Sequence, residues 1–404
     1  MLTRRQILLG TVAGAGLGAA GLSASGAAVV EAYKRGLADA TKTNGQVANK
    51  TTDWNGQHQS GISSKPQAHT NFIALDIREA ISKDDMLRWM VLVTDSISRL
   101  TSGESALADP HPEIIVGPAN LTVTVGFGVQ LFKKLGLENM QPIGFSPLPS
   151  FGVDQLEANQ SDGDVLIHIG TNDPVVLSHV TRLALLDASS FADLRWIHQG
   201  FTNAAGVVPE EKTQRNLMGQ LDGTDNPDLN SDDFKKLVWI TDGPSWTIGG
   251  TQLVLRKIQM HLDTWDKLGR EEKEEVIGRH LDSGAPLGKS NEYDFLDFNA
   301  KKPNGLYVIP DFAHVRRASA GDTDERFFRR PFNFQETEVS QHEVRSGLLW
   351  TAYCADLTRQ YLPVQRRLDE FDLLNKWTTP IASAVFAIPR GVQRGEVLAE
   401  ELFS

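Results

Sequence analysis

The chain has 404 residues, of which 40% are hydrophobic and 23% charged, an ordinary composition for a globular protein with a large core. Its formal net charge of −11, with no basic stripe, excludes a nonspecific nucleic-acid binder. The single cysteine, Cys354, excludes an internal disulfide and any zinc site built from cysteines. The apolar run around it predicts a packed thiol in a buried strand.

The first residues resemble a targeting segment. Residues 3–9 (TRRQILL) form a twin-arginine pattern, and a run rich in Gly, Ala and Leu follows to about Ala28. We therefore predict that residues 1–27 are a signal peptide for the twin-arginine export machinery; a retained membrane anchor is the alternative. Residues 28–55 show no clear period and are interpreted as a linker or N-terminal arm. This arrangement predicts a periplasmic or extracellular protein.

Residues 56–230 are predicted to form a first ferredoxin-like half, because their elements follow the order strand–helix–strand–strand–helix–strand. The first helix has one apolar face, made by Met86, Met90, Val93, Ile97 and Leu100. The predicted strands are Asn71–Ile77, Leu121–Gly128, Asp164–Gly170 and Leu194–Phe201, and the second helix is Pro174–Ala188. Four histidines without a partner motif are interpreted as structural: His58, His168, His179 and His198.

Residues 231–404 repeat this order more loosely and are predicted to form a second ferredoxin-like half. The predicted strands include Val238–Thr241, Thr251–His261, Gly347–Asp356 and Ala382–Ile388. The predicted helices are Thr264–Gly278 and Leu362–Leu373, the latter with Pro363 in its first turn. The predicted fold class is therefore α+β, with two ferredoxin-like halves packed as a dimeric α/β barrel and a site between or beside the sheets.

The most specific stretch runs from Arg215 to Pro227 and has Gly219-x-x-Asp222-Gly223 at its centre. Glycines on both sides of a carboxylate indicate a tight loop close to a ligand, whereas Asp-Gly alone is typical of an ordinary turn. The whole run resembles the Gly-x-x-Asp-Gly motif of the dye-decolorising peroxidases, a family of haem enzymes. Further similarity, including Ile277-Gly278-Arg279, extends this resemblance over roughly residues 56–404.

The resemblance implies a haem peroxidase and gives roles to particular residues. His314, in a His-x-Arg context, would be the axial ligand of the iron, and Arg329 would be the distal arginine. Asp222 would accept and return a proton of hydrogen peroxide, or hold a water that does so. Pro331 departs from the family pattern, because it follows the arginine pair where glycine is usual.

Supporting groups are also implied by the resemblance. Asp356 matches an acidic residue that would accept the second N–H of His314, although it alternatively caps the helix that follows it. The propionates of one haem b per chain would be bound by Arg316 and by the backbone N–H groups of Gly223, Thr224 and Asp225.

The sequence therefore predicts an enzyme that uses hydrogen peroxide to oxidise dyes, phenolics or other one-electron donors, with homo-oligomerisation left open. A second hypothesis keeps the haem but makes the chain a deferrochelatase-like component of iron uptake. Two further hypotheses are a haem carrier and a ferredoxin-like binding domain without metal. Four aromatic residues are interpreted as core residues rather than electron relays: Trp350, Tyr353, Tyr361 and Trp377.

Overall fold

The computed structural model describes residues 50–209, 212–319, 323–338 and 343–404. The predicted signal peptide, residues 1–27, lies outside these ranges, as does most of the predicted linker at 28–55. Among the helices in the described part of the chain, none has both the length and the apolar character needed to cross a membrane.

The described strands form a barrel-like antiparallel sheet. The strands are β1 (His69–Ile77), β2 (Thr122–Gly128), β3 (Val165–Thr171), β4 (Ala192–Phe201), β5 (Thr251–Met260), β6 (Phe328–Arg329), β7 (Phe332–Glu338), β8 (Glu343–Cys354) and β9 (Thr378–Ile388). Hydrogen-bonded neighbours follow the order β5-β9-β2-β3-β1-β4-β7-β8, and β5 also pairs with β8. These eight strands therefore close into a ring, and the short strand β6 pairs with β8.

Helices pack against this sheet. They are α1 (Lys83–Leu100), α2 (Val129–Lys134), α3 (Pro174–Ala188), α4 (Asp232–Val238), α5 (Leu262–Trp265), α6 (Arg270–Ile277), α7 (His314–Ala318), α8 (Leu357–Phe371) and α9 (Glu400–Phe403). The predicted apolar face of α1 is confirmed, because its residues are all buried. Ser82 and Asp85 form a capping box that fixes the start of this helix.

The strand order is β4-β1-β3-β2 in the N-terminal part and β7-β8-β5-β9 in the C-terminal part. The two parts meet where β2 pairs with β9 and where β4 pairs with β7. At these junctions Phe127 lies opposite Ala387, and Phe201 lies opposite Asn333. A mixed α/β fold with an antiparallel sheet is therefore confirmed.

Three predicted elements of the C-terminal part are wrong in detail. Val238–Thr241 is not a strand, because Ser231 caps a helix that runs to Val238. The predicted helix at 264–278 is divided into α5 and α6. The helix predicted at Leu362–Leu373 is α8, which begins at Leu357, so Pro363 lies inside it and not in its first turn.

The four histidines interpreted as structural all have hydrogen-bond partners in the fold. Nδ1 of His58 donates to the carbonyl of Gly249 at 2.6 Å, and His179 contacts Oδ2 of Asp109 at 2.9 Å. His198 donates to the carbonyl of Gln160 at 2.9 Å. His168 lies 2.8 Å from the Thr70 hydroxyl and stacks on Phe72. These side chains therefore serve packing, as expected.

Acid should destabilise the protein through His168. Burial, with a further contribution from the charge of Arg330, lowers the pKa of His168 to about 3. Between that value and the ordinary 6.5, the unfolded chain binds a proton that the folded chain does not, so stability falls as pH falls. Lowering the pH from 7 to 5 should cost about 2 kcal/mol through this residue.

The measurement is the free energy of unfolding in urea at pH 7 and pH 5. The wild type should lose about 2 kcal/mol more than His168→Gln over this interval. The matched control is His111→Gln, because His111 is an exposed loop residue rather than a buried one. Equal pH dependence in the wild type and His168→Gln would contradict the prediction.

Candidate active site

His314 is the first residue of α7, and a carboxylate from another element fixes its ring. Nδ1 donates to Oδ2 of Asp372 at 2.6 Å, and the Asp372 side chain is only 3% exposed. Oδ1 of the same carboxylate accepts the backbone N–H of Leu374 at 2.9 Å. Within the described ranges Nε2 of His314 has no hydrogen-bond partner. The ring is therefore held in one orientation, with Nε2 left for a metal.

The electrostatic surroundings of His314 include three charged residues. Burial lowers the pKa of His314, but the charge and hydrogen bond of Asp372 outweigh it, so the net pKa is raised. Arg329 lowers this pKa and Asp222 raises it, so both groups lie within electrostatic range of the ring. About a third of the side chain, 32%, is exposed toward a cavity.

Asp356 does not contact His314, so its predicted role as the acceptor of the histidine N–H is wrong. Its Oδ1 accepts the backbone N–H groups of Thr358 and Arg359 at 2.9 and 3.1 Å, which makes it the N-cap of α8. Asp372 follows the other end of this 15-residue helix, about 22 Å away at 1.5 Å per residue. The alternative interpretation of Asp356 as a helix cap is therefore confirmed.

Asp222 and Arg329 come together as a charged pair, although they are far apart in the chain. Nη1 of Arg329 lies 3.8 Å from Oδ1 of Asp222, and their side chains are 22% and 14% exposed. This distance exceeds a hydrogen bond, so both groups keep the capacity to contact a small ligand between or beside them.

A side-chain amide holds the Asp222 loop against Arg329. Nδ2 of Asn226 donates to the Arg329 carbonyl at 2.8 Å, and the Arg329 N–H donates to Oδ1 of Asn226 at 2.9 Å. Gly219 and Gly223, which flank Asp222 in sequence, have φ of 84° and 125°, values that strongly favour glycine. The motif glycines therefore permit the turns that bring Asp222 to the β6 strand.

One cavity connects these groups. It is lined by Asp222, Arg329, His314, Asp372 and the segment Gly223–Asp225. Much of the remaining wall is apolar and includes Met218, Ile258, Met260, Ile277, Leu348 and Trp350. Among the described residues, the lining combines a largely apolar wall, one imidazole and two opposite charges, which is the combination of groups expected for a haem with a reactive face.

Arg316 does not belong to this cavity as far as the described residues show, so its predicted role at the propionates is not supported. Its guanidinium donates to the carbonyls of Phe298 and Ile309 at 2.7 and 2.6 Å and packs over the Tyr307 ring. Positions i and i+2 of a helix point in nearly opposite directions, about 200° apart, so His314 and Arg316 face different sides. Arg316 instead braces the loop before α7.

Arg279 is a cavity residue for which sequence reasoning assigned no role. It follows α6, and its Nη1 donates to the carbonyls of Gly284 and Glu292. Burial lowers its pKa, while the charges of Asp225 and Glu292 act in the opposite direction. The only sequence signal was its position in the family-like segment Ile277-Gly278-Arg279.

The side chain of Glu292 ties the motif loop to its surroundings. One of its carboxylate oxygens accepts the hydroxyls of Thr213 and Thr224 at 2.6 and 2.8 Å. Because Thr224 lines the cavity, this carboxylate fixes the Gly223–Asp225 segment without itself being part of the described lining.

The aromatic residues divide into two groups. Tyr353 and Tyr361 are buried, as expected for core residues. Trp350 lines the cavity and lies 5.7 Å from the Tyr361 ring, measured between centroids. Trp377 packs edge-on against the buried Trp265.

Comparison with known proteins shows the family of the chain. The family model for the N-terminal part of Dyp-type peroxidases matches residues 59–202, and the model for the C-terminal part matches residues 213–393. The dye-decolorizing peroxidase of Thermobifida fusca is 34% identical, with 96% of this chain and 95% of that protein covered. The deferrochelatase of Escherichia coli K12 is 31% identical, with 85% of each chain covered.

Solved structures give the same result. A DyP-type peroxidase from Cellulomonas bogoriensis is 41% identical and superposes with a TM-score of 0.86, covering 89% of this chain and 99% of that one. DtpA from Streptomyces lividans is 34% identical with a TM-score of 0.85, covering 89% of this chain and 99% of that one. The chain therefore belongs to the dye-decolorising peroxidase family and is a haem-dependent peroxidase.

Proposed function

We propose that the chain binds one haem b, with Nε2 of His314 as the axial ligand of the iron. The observation that carries this proposal is the fixed ring: the buried Asp372 holds Nδ1, and the cavity beside it contains the Asp222–Arg329 pair. A hydrogen-bonded carboxylate makes a ligating histidine more electron-donating and sets its tautomer. The residues present therefore fit a haem.

The haem, when bound, would supply the redox-active iron at which hydrogen peroxide is reduced. The chain's own groups would handle protons and charge. The Asp222 carboxylate would take a proton from one oxygen of hydrogen peroxide and return it to the other, directly or through a water. The Arg329 guanidinium would stabilise the negative charge that develops as the O–O bond breaks.

Cations and backbone N–H groups at the cavity would hold the propionates. The segment Gly223–Asp225 lines the cavity and is fixed through Thr224 and Glu292. Arg279 replaces Arg316 as the proposed cationic partner, because it lines the cavity and lies within electrostatic range of Asp225.

The proposed donors are dyes, phenolics and other one-electron reductants, and the proposed location is periplasmic or extracellular after twin-arginine export. The strand orders β4-β1-β3-β2 and β7-β8-β5-β9 also support the inference of two ferredoxin-like halves. Homo-oligomerisation remains a proposal, to be tested by light scattering of the exported protein.

A second candidate is iron handling of the deferrochelatase type, favoured by 31% identity to the Escherichia coli protein of that name. Iron release and metal-free porphyrin would be measured after incubating the protein with haem, with and without peroxide. Metal-free porphyrin takes up two protons when iron leaves, so the Asp222 carboxylate suits either function. Arg329 beside it favours the peroxidase, because its positive charge would stabilise the negative oxygen that develops as the O–O bond breaks.

The test of the proposed function is the absorption spectrum of the exported protein before and after one equivalent of hydrogen peroxide. A Soret band that changes with peroxide and recovers with an added dye or phenol supports it. No Soret band in protein expressed with ample haem would overturn the haem assignment. A Soret band that does not change when peroxide is added would favour iron handling.

Asp372 should affect the affinity for haem and the reduction potential of its iron, and Asp356 should affect neither. In Asp372→Asn the side chain can still accept the backbone N–H of Leu374. The negative charge that Asp372 places beside Nδ1 of His314 is lost. We expect a 10–100-fold loss of haem affinity and a more positive reduction potential, because the histidine becomes a weaker donor. The measurements are haem transfer to an acceptor protein and a redox titration.

Asp356→Asn is the matched control for this prediction. The asparagine can still accept the backbone N–H groups of Thr358 and Arg359. Position 356, however, lies at the end of α8 that is far from His314. Its haem affinity and potential should equal those of the wild type. A shift of the potential in Asp356→Asn, without one in Asp372→Asn, would contradict the assignment.

A further inference from the structure

A second, more polar cleft lies beside the cavity that holds His314. Its volume is about 690 Å³. Asp222 and Arg329 line both spaces, so their 3.8 Å pair stands at the boundary between cleft and cavity. The cleft is much larger than a hydrogen peroxide molecule requires, and a molecule with several carbon atoms could not pass between these two side chains.

The cleft contains a buried cation without an acidic partner. Arg330 is only 1% exposed, and although burial lowers its pKa to about 10, it stays charged at neutral pH. Its guanidinium donates to the carbonyls of Ser64 and Lys65 and to Oε1 of Gln67, all of which are uncharged. Among the described residues no carboxylate pairs with it, and its Nε has no acceptor. Buried charges are normally paired.

Other features of the cleft fit an organic anion. The Ser64 hydroxyl, a hydrogen-bond donor, also lines it and also lacks a partner within the described part of the chain. Exposed Lys50 and Lys212 lie on the same lining, while the acidic residues described there are Asp222 and Asp228. Apolar side chains, among them Val208, Leu229 and Phe328, complete the wall. Such a wall suits a carbon skeleton better than a fully hydrated inorganic ion.

We propose that this cleft binds small organic carboxylates, with the carboxylate at Arg330 and the carbon skeleton against the apolar wall. A bound carboxylate would cover the Asp222–Arg329 pair from the cleft side and so compete with hydrogen peroxide. This inference goes beyond the peroxidase activity, but its kinetic consequence rests on the proposed roles of Asp222 and Arg329.

The test uses benzoate as the probe on the haem-loaded enzyme. Calorimetry gives the dissociation constant, and stopped-flow spectroscopy gives the rate of reaction with peroxide at increasing benzoate. We expect binding with a stoichiometry of one, and inhibition that excess peroxide overcomes. Benzyl alcohol, which has the same ring without the charge, should bind at least tenfold more weakly, since a charge-assisted contact is lost.

Three variants locate the site. Arg330→Met and Ser64→Ala should each raise the benzoate dissociation constant at least tenfold, and Lys50→Ala combined with Lys212→Ala should raise it by less. Lys267→Ala, an exposed lysine outside the cleft lining, is the control and should change nothing. If Arg330→Met does not fold, Ser64→Ala provides the test.

The outcomes are separable. No benzoate binding to the wild type, binding unchanged by the cleft variants, or equal binding of benzyl alcohol would each overturn the carboxylate site. Binding of benzoate to the haem iron, visible as a ligand-type change of the Soret band that the cleft variants leave intact, would also overturn it. Failure of the proposed function would appear differently, as a wild-type enzyme that does not react with peroxide in the absence of benzoate.

Discussion

Replacing Asp222 with asparagine, or Arg329 with leucine, should slow the reaction with hydrogen peroxide by about 10²–10⁴-fold while the Soret band is kept. Asparagine preserves the shape of Asp222 but cannot accept the proton, so peroxide would have to ionise without a positioned base. Leucine removes the charge that opposes the developing negative oxygen. Neither change touches His314 or Asp372, so haem binding should persist.

The double variant shows whether the two residues act together. Their atoms lie 3.8 Å apart, within the range where effects of substitutions are usually not additive. If both serve one proton-transfer event, Asp222→Asn combined with Arg329→Leu should be little slower than the slower single variant. Fully multiplicative losses would instead indicate two independent contributions.

Arg326→Leu is the matched control for Arg329→Leu. Arg326 lines the same cavity, but its Nη1 donates to Asp233 at 2.6 Å rather than lying beside Asp222. Its peroxide reaction should stay close to the wild-type rate. Wild-type rates in both Asp222→Asn and Arg329→Leu would show that the assigned roles are wrong.

Local patterns predicted most of the fold. The apolar stripe of α1 and the strand β1 are set by residues close in sequence. Both appear as expected, although β1 is buried along most of its length and does not alternate between buried and exposed residues. The closure of the ring depends on pairings such as Phe127 with Ala387, between distant segments whose register no local pattern encodes. Val238 was misread because an apolar run fits a buried helix end as well as a strand.

The site was predictable where a contiguous motif carries it and less so elsewhere. Asp222 and Arg329 come from motifs, and the structure brings them together. Asp372 was missed because its contact with His314 depends on where α8 ends and how it packs on α7. No spacing rule links two residues that far apart, and Asp356 matched the sequence position without having the geometry.

His314→Ala should abolish retention of haem, the largest single effect expected in this protein. The apolar wall and the proposed propionate partners would remain, but no other described imidazole lines the cavity to replace His314 as the proposed iron ligand. We expect exported protein that folds, as judged by circular dichroism, yet lacks the Soret band. His280→Ala is the control, because His280 pairs with Glu274 outside the described cavity lining.

Chemical rescue distinguishes loss of a ligand from general damage. In His314→Gly the missing ring leaves a space next to the Asp372 carboxylate, which can still accept an N–H. Imidazole added with haem should therefore restore a Soret band and part of the peroxide reaction, whereas N-methylimidazole should do so less well because it cannot donate to Asp372. A His314→Ala protein that keeps an unchanged Soret band would place the axial ligand elsewhere. Equal rescue by imidazole and N-methylimidazole would show that Asp372 does not help to hold the axial ligand.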